Sequence, residues 1–508
     1  MHRAVALLMR LRGWRADAAA LLFGIVSAAA LPPVHAIPVL LIAVPGLLLL
    51  VAATPGPRAA FRRGWWFGLG HHLVGLYWIT EAILVEAARY WWFVPIAVPA
   101  LSAVLAVFIG APASLCRLAR PGWPRALALA GGWTLADLAR QYVLSGFPWN
   151  PWGSVWAMPG PAGDVFIQLA SIIGEPGLTF LTVLLAALPL AGWRPAALGG
   201  AVLAVWAGFG LFRLSTPPPP PQAESVVLVQ GNVAQGQKWN RDLAMEVFRR
   251  YLDLTRSAVA AVGSRPVVVV WPETASPFLL ESDANARQAI AEATGGAPAL
   301  VGTVRFGADG RPRNSLAAID GAGQLTGLYD KWQLVPFGEF QPDWFPLPIQ
   351  IVPGGGFAPG SGPKTLHLTG APPVGPMICY EAIFPGVLVD RADRPAWLVN
   401  VTNDAWFGNS TGPRQHLVAA RFRAVELGLP LMRAANTGIS AGFDARGHEL
   451  GRLGMGITGS LTLRLPGAEP QTLFARFGLL IPALLASVAI ICSFGSDILR
   501  SGSKKTAI

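Results

Sequence analysis

Residues 266–274 read PVVVVWPET, an unbroken apolar, β-branched run that ends at the carboxylate of Glu273. A short run of this kind predicts a strand that is buried on both faces, as in a parallel sheet covered by helices. The segment 225–230, SVVLVQ, has the same character. Between such runs lie segments with apolar residues at helical spacing, most clearly 241–262 and 414–427. This alternation predicts an α/β domain over residues 224–470.

The charge of this segment differs from that of the rest of the chain. The 508 residues carry 39 Lys+Arg and 28 Asp+Glu, a net charge of +11, yet only 13% are charged and 53% are hydrophobic. Soluble domains average about 25% charged residues. Residues 224–469 contain 21 cations and 21 anions, so the whole excess lies outside them. The composition excludes a disordered chain, and the neutral domain offers no net attraction to nucleic acid.

The remainder of the chain is a series of apolar stretches, each near the ~20 residues that cross a bilayer. They predict an α-helical transmembrane bundle of about eight spans, at 17–31, 38–53, 64–83, 92–116, 126–144, 166–191, 196–212 and 474–494. Residues 1–215 would then hold helices one to seven, 224–470 the α/β domain, 474–494 helix eight and 495–508 a tail. The proline run 217–221 is a stiff spacer that indicates the domain boundary.

Lys and Arg in the connections predict the orientation, because short cytoplasmic loops are enriched in them. Of the 18 cations outside the neutral domain, 14 fall on one side of an even-numbered topology. Both termini and the tail are therefore predicted to be cytoplasmic, and the α/β domain non-cytoplasmic. A cleaved signal peptide ending near residues 27–30 is the alternative for the first segment. It would leave the downstream orientation unchanged.

Three residues at the ends of predicted strands could perform chemistry: Glu273, Lys331 in YDKWQLVPFGE (329–339), and Cys379 in GPMICYE (375–381). A thiol, a carboxylate and an amine suffice for acyl transfer through a thioester, with the thiolate as nucleophile, the carboxylate as general base and the ammonium as oxyanion partner. A helix beginning after Cys379 would also lower the pKa of its thiol. The alternative for Cys379 is an ordinary buried core cysteine, and the alternative for Glu273 and Lys331 is a solvated charge in a loop.

These segments resemble the Glu–Lys–Cys triad of the nitrilase superfamily, in the family's order and local contexts. Further motifs resemble its membrane-embedded branch, the apolipoprotein N-acyltransferases: QGN (230–232) with KW (238–239), NVTNDAWFG (400–408) with QH (415–416), and GFPW (146–149). The resemblance implies an αββα sandwich for the α/β domain.

The resemblance also implies the reaction. Cys379 would take an acyl chain from a phospholipid and pass it to the N-terminal diacylglyceryl-cysteine amine of an apolipoprotein, with Glu273 as general base and acid and Lys331 as oxyanion partner. Glu339 would be the accessory glutamate. The positions that match the family's substrate pocket are Trp239, Tyr380 and Glu381. The implied partners are a phospholipid donor, a diacylated apolipoprotein acceptor and membrane lipid, and the implied location is the bacterial inner membrane with the catalytic domain periplasmic.

The chemistry requires no metal or organic cofactor, and the three cysteines form no zinc-binding pattern. With the predicted topology, Cys116 and Cys492 lie at cytoplasmic span ends, so Cys379 has no disulfide partner on its own side. Two rival functions keep parts of this interpretation: a membrane-tethered amidase that transfers the acyl group to water, and a non-catalytic lipid- or protein-binding scaffold. His71 and His72 lie inside the third predicted span, and Glu81 and Glu86 lie near its non-cytoplasmic end; none of these four has an assigned role.

A lipid substrate also predicts an apolar entrance. Phe337, Trp344 and residues 345–347, followed by the glycines of 354–356, are expected to form a lipid-facing lid. An aromatic core edge with an ordinary glycine turn is the alternative. Trp149 and Trp152 are expected to be interfacial anchors.

Overall fold

The structure is a computed structural model that describes residues 2–85, 87–238, 241–344, 356–386 and 388–503. The chain forms two compact units, Met1–Ser215 with Arg476–Ile508, and Thr216–Ala475. The first unit is helical. Its helices are α1 His2–Arg10, α2 Gly13–Ser27, α3 Leu40–Ala52, α4 Pro57–Gly75, α5 Ile79–Leu84, α6 Ala87–Tyr90, α7 Val94–Leu105, α8 Val107–Leu118, α9 Trp123–Ala139, α10 Pro161–Ile167, α11 Ala170–Ala187, α12 Trp193–Ser215 and α18 Leu480–Ser503.

Glycines allow the helices of this unit to approach one another closely. A Cβ at Gly24 of α2 would lie 1.9 Å from the carbonyl oxygen of Phe67 in α4, and one at Gly70 would lie 2.2 Å from that of Leu21. Both distances are far inside van der Waals contact, so α2 and α4 cross backbone to backbone. Small residues at helix crossings are typical of membrane bundles, where packing rather than hydrophobic burial holds helices together.

Among the residues that the structure describes, three helices are long and apolar enough, by length and composition, to cross a membrane: Trp91–Leu118, Ala170–Ala191 and Trp193–Ser215. Two shorter apolar helices are Ile37–Ala52 and Leu480–Gly495. These five coincide with five of the predicted spans. The other three predicted spans overlap α2, α4 and α9 in part, and the predicted span 64–83 extends past the end of α4 at Gly75. The total of eight stays a prediction.

Several polar and aromatic side chains of this unit lie inside it. His71 is buried, with Nδ1 2.9 Å from the Ser27 hydroxyl and Nε2 accepting from Trp152 Nε1 at 3.3 Å. The expectation that Trp149 and Trp152 anchor at an interface is wrong, because they are only 3% and 1% exposed. Trp152 packs on Trp133 at a ring distance of 4.4 Å, which uses the indole inside the unit. Glu86 lies outside the described residues.

The described residues of the second unit form twelve strands and several helices. The strands are β1 Ser225–Gln230, β2 Val267–Trp271, β3 Ala299–Phe306, β4 Pro312–Ile319, β5 Leu325–Asp330, β6 Leu366–Leu368, β7 Ala371–Ile378, β8 Trp397–Thr402, β9 Leu431–Ala435, β10 Ser440–Phe443, β11 Glu449–Leu453 and β12 Gly459–Arg464. The helices are α13 Gln235–Lys238, α14 Ala244–Val262, α15 Ala284–Ala293 and α16 Gly412–Leu427, with α17 Leu473–Phe477 at the unit's end.

The strands form two six-stranded sheets, in the orders β12-β1-β2-β3-β4-β5 and β11-β10-β9-β8-β7-β6. Successive residues of each buried strand face different layers. Val227 and Val269 pack with α14, whereas their neighbours Leu228 and Val270 pack between the sheets. On the far side of the second sheet, Leu398 packs with α16. The layers are thus helix, sheet, sheet, helix, and the predicted αββα sandwich is confirmed.

Strand directions bring the predicted residues to one edge. Strands β1, β2 and β3 are parallel, as are β7, β8 and β9. Strand β4 runs antiparallel to both β3 and β5, so β5 again points the same way as β2. The carboxyl ends of parallel strands meet at one edge of a sheet, which is where ligands bind in open α/β sheets.

Candidate active site

The site combines residues from both sheets. Glu273 follows β2 and Lys331 follows β5 in the first sheet, while Cys379 follows β7 in the second. All three are buried, at 6%, 1% and 7% exposure. Burial of two charged side chains demands partners, because an unpaired charge inside a protein is very costly.

Lys331 is paired with two carboxylates. Its Nζ lies 3.3 Å from Glu273 Oε1 and 2.8 Å from Glu339 Oε2. Burial opposes the charged amine, but Glu273 and Glu339 outweigh it and raise the pKa of Lys331 above its usual value. Lys331 is therefore a permanent ammonium ion. A fixed buried cation can stabilise an oxyanion and cannot act as a base.

Glu273 is held by hydrogen bonds to both of its oxygens. Oε1 accepts from Asn314 Nδ2 at 2.7 Å, and Oε2 accepts from the backbone N–H of Asn403 at 2.8 Å. Asn314 Nδ2 also donates to Glu339 Oε1 at 3.0 Å. The amide of Asn314 therefore spaces the two carboxylates that flank Lys331. Thr274, the next residue after Glu273, has a φ of +46°, so the chain that follows β2 turns through a strained backbone conformation at the site.

Cys379 occupies a similar strained turn, with a φ of +52°. Such a conformation in a non-glycine residue persists only where its surroundings impose it, and it is common at functional sites. Burial, followed by the charge of Glu273, raises the pKa of the Cys379 thiol, while Lys331 opposes the rise. The resting sulfur is thus a thiol rather than a thiolate. Its activation needs a base, and the Glu273 carboxylate is close enough to act on it electrostatically.

The expected helix after Cys379 is not formed. A 3₁₀ turn, Cys379–Ile383, takes its place, and Phe384 is already extended, with φ −91° and ψ 108°. Pro385 follows Phe384, and a proline disfavours helical conformation in the residue before it. The expectation that a helix N-terminus lowers the pKa of Cys379 is therefore wrong, since burial dominates.

Glu381 joins the loops after β5 and β7. It is 0% exposed; Oε1 accepts from the backbone N–H of Trp332 at 2.8 Å, and Oε2 accepts from Tyr329 Oη at 2.9 Å and from the backbone N–H of Ile378 at 2.6 Å. These contacts hold the Lys331 loop against the Cys379 turn. Tyr380 is also buried, with its ring edge-on to Phe384 at 5.2 Å. Trp239, the third predicted pocket residue, lies outside the described residues.

The structure adds residues whose roles were not evident from the sequence. Asn314 and the Asn403 backbone bind Glu273, and behind Cys379 lie the buried side chains of Thr402, Asp404 and His416. For Asn403 and Asp404, the signal that could have found them is their position directly after the buried strand β8. In the described part of the chain, no group of three His, Cys, Asp or Glu residues could hold a metal ion.

Two protein-family models match the chain. The apolipoprotein N-acyltransferase N-terminal domain matches residues 23–188, and the carbon-nitrogen hydrolase domain matches residues 225–459. An apolipoprotein N-acyltransferase from Bradyrhizobium diazoefficiens is 40% identical over 94% of this chain and 94% of its own. Another from Rhodopseudomonas palustris is 40% identical over 94% and 95%. This chain belongs to the apolipoprotein N-acyltransferase family.

Among solved structures, an amidase of the nitrilase superfamily from Nesterenkonia AN1 aligns with 49% of this chain and 94% of its own, at 18% identity and a TM-score of 0.36. Membership of the apolipoprotein N-acyltransferase family makes the protein an acyltransferase, and with its apolar helices a membrane protein. The carbon-nitrogen hydrolase match covers the unit that contains Glu273, Lys331 and Cys379.

Proposed function

We propose that the protein transfers an acyl chain from a phospholipid to the N-terminal amine of a diacylglyceryl-modified cysteine in an apolipoprotein, through a thioester on Cys379. The observation that carries this proposal is the buried arrangement of a thiol, a general base and a fixed cation in an N-acyltransferase family member. The base is Glu273 and the cation is Lys331.

In the first half-reaction, Glu273 takes the thiol proton and the Cys379 sulfur attacks the ester carbonyl of the phospholipid. The new S–C bond forms and the carbonyl oxygen becomes an oxyanion, which Lys331 stabilises. The tetrahedral intermediate collapses by breaking the ester C–O bond. Glu273 returns its proton to the departing oxygen, so that a lysophospholipid leaves and the acyl-enzyme remains.

In the second half-reaction, the amine nitrogen attacks the thioester carbonyl. Glu273 takes a proton from the attacking amine, Lys331 stabilises the second oxyanion, and the S–C bond breaks. The proton then passes from Glu273 to the Cys379 sulfur, which restores the resting thiol. The raised pKa of Cys379 makes the thiol the stable resting form, so the cycle closes without an external acid.

The substrates' lipid chains require an apolar approach to this site. Phe337 and Trp344 pack edge to face at a ring distance of 5.7 Å, and Trp344 is 44% exposed. We assign them to the lipid-facing lid; residues 345–355 of that segment lie outside the described residues. Tyr380 and Trp239 are assigned to the pocket wall. Glu339 is assigned to orienting Lys331, and Glu381 to holding the pocket loops together.

The proposed setting is the bacterial inner membrane, with eight spans, cytoplasmic termini and the catalytic unit on the periplasmic side. The distribution of Lys and Arg supports this orientation. In this orientation, both lipid-anchored substrates and the thiol would lie on the same side of the bilayer.

The test is to incubate purified full-length protein with a defined phospholipid and to measure the intact mass. We expect an adduct of one acyl chain that maps to Cys379, release of the lysophospholipid, and disappearance of the adduct when a diacylated lipopeptide is added. Cys379→Ala should carry no adduct, and Glu273→Gln should form none. Absence of an adduct on active wild-type protein would falsify the thioester route.

The same experiment separates the rival functions. A membrane-tethered amidase would release ammonia from small amides and would form no lysophospholipid. A lipid- or protein-binding scaffold would keep its full function in cells after Cys379→Ser, which acyl transfer forbids.

A further inference from the structure

A buried cluster of polar side chains lies behind Cys379 in the second sheet. Its centre is Asp404, which is 1% exposed and whose Oδ2 accepts from Arg433 Nη2 at 2.7 Å. Arg433 is 0% exposed and also donates to the side chain of Asn400 and, from Nε, to the carbonyl oxygen of Ile439 at 3.3 Å. Burial alone would raise the pKa of Asp404, but Arg433 and His416 hold it at about 2. Asp404 is therefore a fixed anion.

Two routes connect this anion to Cys379. In the first, the Thr402 hydroxyl donates to Asp404 Oδ1 at 3.1 Å. Thr402 also lies beside Cys379, because the residues before them, Val401 and Ile378, pair in the parallel register of β8 and β7, and its hydroxyl lowers the pKa of the Cys379 thiol. In the second, His416 Nδ1 lies 2.9 Å from Asp404 Oδ1, and His416 Nε2 lies 2.9 Å from the carbonyl oxygen of Cys379. Because a carbonyl oxygen only accepts, Nε2 carries a proton and donates it.

The second route acts on the peptide unit that follows the nucleophile. The carbonyl of Cys379 and the N–H of Tyr380 belong to one planar trans peptide and point in opposite directions. Since His416 holds the carbonyl on its own side, the Tyr380 N–H points away from His416. The bond also fixes the left-handed conformation of Cys379, whose φ of +52° requires support from its surroundings.

We propose that Thr402 and His416, both held by the Asp404–Arg433 ion pair, are positioning residues for the nucleophile. The Thr402 hydroxyl turns from Asp404 to donate to the sulfur when it is a thiolate, both after Glu273 takes its proton and when the thioester breaks. His416 keeps the peptide unit after Cys379 in one orientation. The proposal rests on the proposed function, in which Cys379 is the nucleophile, and it deepens that function by naming what supports the thiol from the sheet opposite Glu273 and Lys331.

The first test measures alkylation of Cys379 by iodoacetamide across a pH series, on purified full-length protein in detergent. The groups that face the sulfur with charge are Glu273, Lys331 and Asp404, and all three are unchanged in the variants. The Cys379 peptide is quantified by mass spectrometry, which separates it from Cys116 and the exposed Cys492.

Thr402→Val removes the hydroxyl at nearly constant volume. We expect its alkylation rate at a fixed pH below the thiol pKa to fall about tenfold, the factor that one pKa unit produces. Thr402→Ser, which keeps the hydroxyl, should restore the rate. An unchanged Thr402→Val profile, or an equal loss in Thr402→Ser, would overturn the role of Thr402. If Thr402→Val does not fold, Thr402→Ala removes the same hydroxyl and decides in its place.

The second test uses His416→Gln, which keeps an N–H donor able to reach the Cys379 carbonyl, and His416→Leu, which has none. We expect His416→Leu to form the thioester from phospholipid about tenfold more slowly, the rate factor that the loss of one typical hydrogen bond produces. His416→Gln should recover most of that loss. Equal rates in both variants would overturn the role of His416.

Iodoacetamide needs no lipid, so the alkylation of Cys379 can be measured whether or not the protein forms a thioester. A hydroxyl-dependent alkylation rate in a protein that never forms a thioester would refute the proposed function and keep the role of Thr402. Thioester formation that is indifferent to Thr402 and His416 would keep the function and refute the positioning cluster.

Discussion

Replacing Lys331 by methionine removes a buried cation from between two carboxylates, and the structure predicts separate losses in stability and in catalysis. The Nζ of Lys331 lies 3.3 Å from Glu273 and 2.8 Å from Glu339, and the side chain is 1% exposed. Methionine has similar length and no charge, so it fills the space and leaves two carboxylates facing each other. Removing one partner of a buried ion pair costs about 3–5 kcal/mol of folding stability.

The catalytic loss comes from the oxyanion. Removing one preorganised donor from an oxyanion site lowers the rate by about 10²–10³, equivalent to roughly 3–4 kcal/mol. The rate of thioester formation on Cys379, followed by intact mass under single-turnover conditions, measures this term. Thermal melting of the same preparation measures the stability term.

A double variant separates the two terms. In Lys331→Met with Glu339→Gln, one of the two facing carboxylates becomes a neutral amide, so the repulsion with Glu273 disappears. We expect the double variant to regain a large part of the lost melting temperature and none of the lost rate. Recovery of thioester formation in the double variant, or a wild-type rate in Lys331→Met alone, would refute the role of Lys331 as oxyanion partner.

Three further perturbations test how the fold supports the site. Gly302→Ala would place a Cβ 2.1 Å from the carbonyl oxygen of Pro272 and 2.8 Å from the Cα of Glu273. Glu273 would be displaced, so the rate of thioester formation should fall on the order of a hundredfold. The control is Gly459→Ala, whose Cβ would have its nearest atom at 3.7 Å and which should remain active. The pKa of Asp404 is about 2 in the folded protein, below its usual value of 3.8. The ionised carboxylate therefore contributes about 2 kcal/mol to folding stability above pH 4, and this contribution is lost as the pH falls through 2. Urea denaturation of Asp404→Asn over the same pH range should lack this decline. Val269 and Val270 are both 0% exposed, so replacing either by alanine should lower the free energy of unfolding by roughly 2 kcal/mol. Val270 packs between the sheets and Val269 packs against α14, so only Val270→Ala should slow thioester formation.

The predicted strands and triad could be read from local sequence because each depends on a short segment. A β-branched run long enough to be buried on both faces leaves little choice but a strand, and the prediction for 225–230 coincides with β1. Polar residues directly after such runs fall at the carboxyl edge of the sheet. The grouping of Glu273, Lys331 and Cys379 was predicted from three such ends and from the resemblance to a family.

The partners of the triad could not be predicted in the same way because they are remote in sequence. Asn314 is hydrogen-bonded to Glu273, from which it is 41 residues away in the sequence, and His416 is hydrogen-bonded to Cys379, from which it is 37 residues away. Nothing local in either residue distinguishes a site ligand from an ordinary polar side chain. The expectation that a following helix would lower the pKa of Cys379 was wrong for a related reason. Burial of the sulfur, which raises the pKa, is a property of the packed sandwich and not of the segment that follows the cysteine.

The division of the site between two sheets explains how a buried thiol can be both stable and reactive. The first sheet supplies Glu273, whose charge adds to the effect of burial in raising the pKa of the Cys379 thiol and which, in the proposed mechanism, is also the group that removes its proton. The second sheet supplies Cys379 and, through Thr402, a hydroxyl that can donate to the sulfur once the proton has left. Thiol and thiolate are thus each favoured by a group from a different sheet. The two sheets are linked directly at this point, because the backbone N–H after β8 at Asn403 donates to Glu273 Oε2 at 2.8 Å. The packing of the sandwich therefore fixes the position of the base relative to the thiol, and in the proposed mechanism a substrate carbonyl that enters beside Lys331 is attacked once Glu273 has taken the proton.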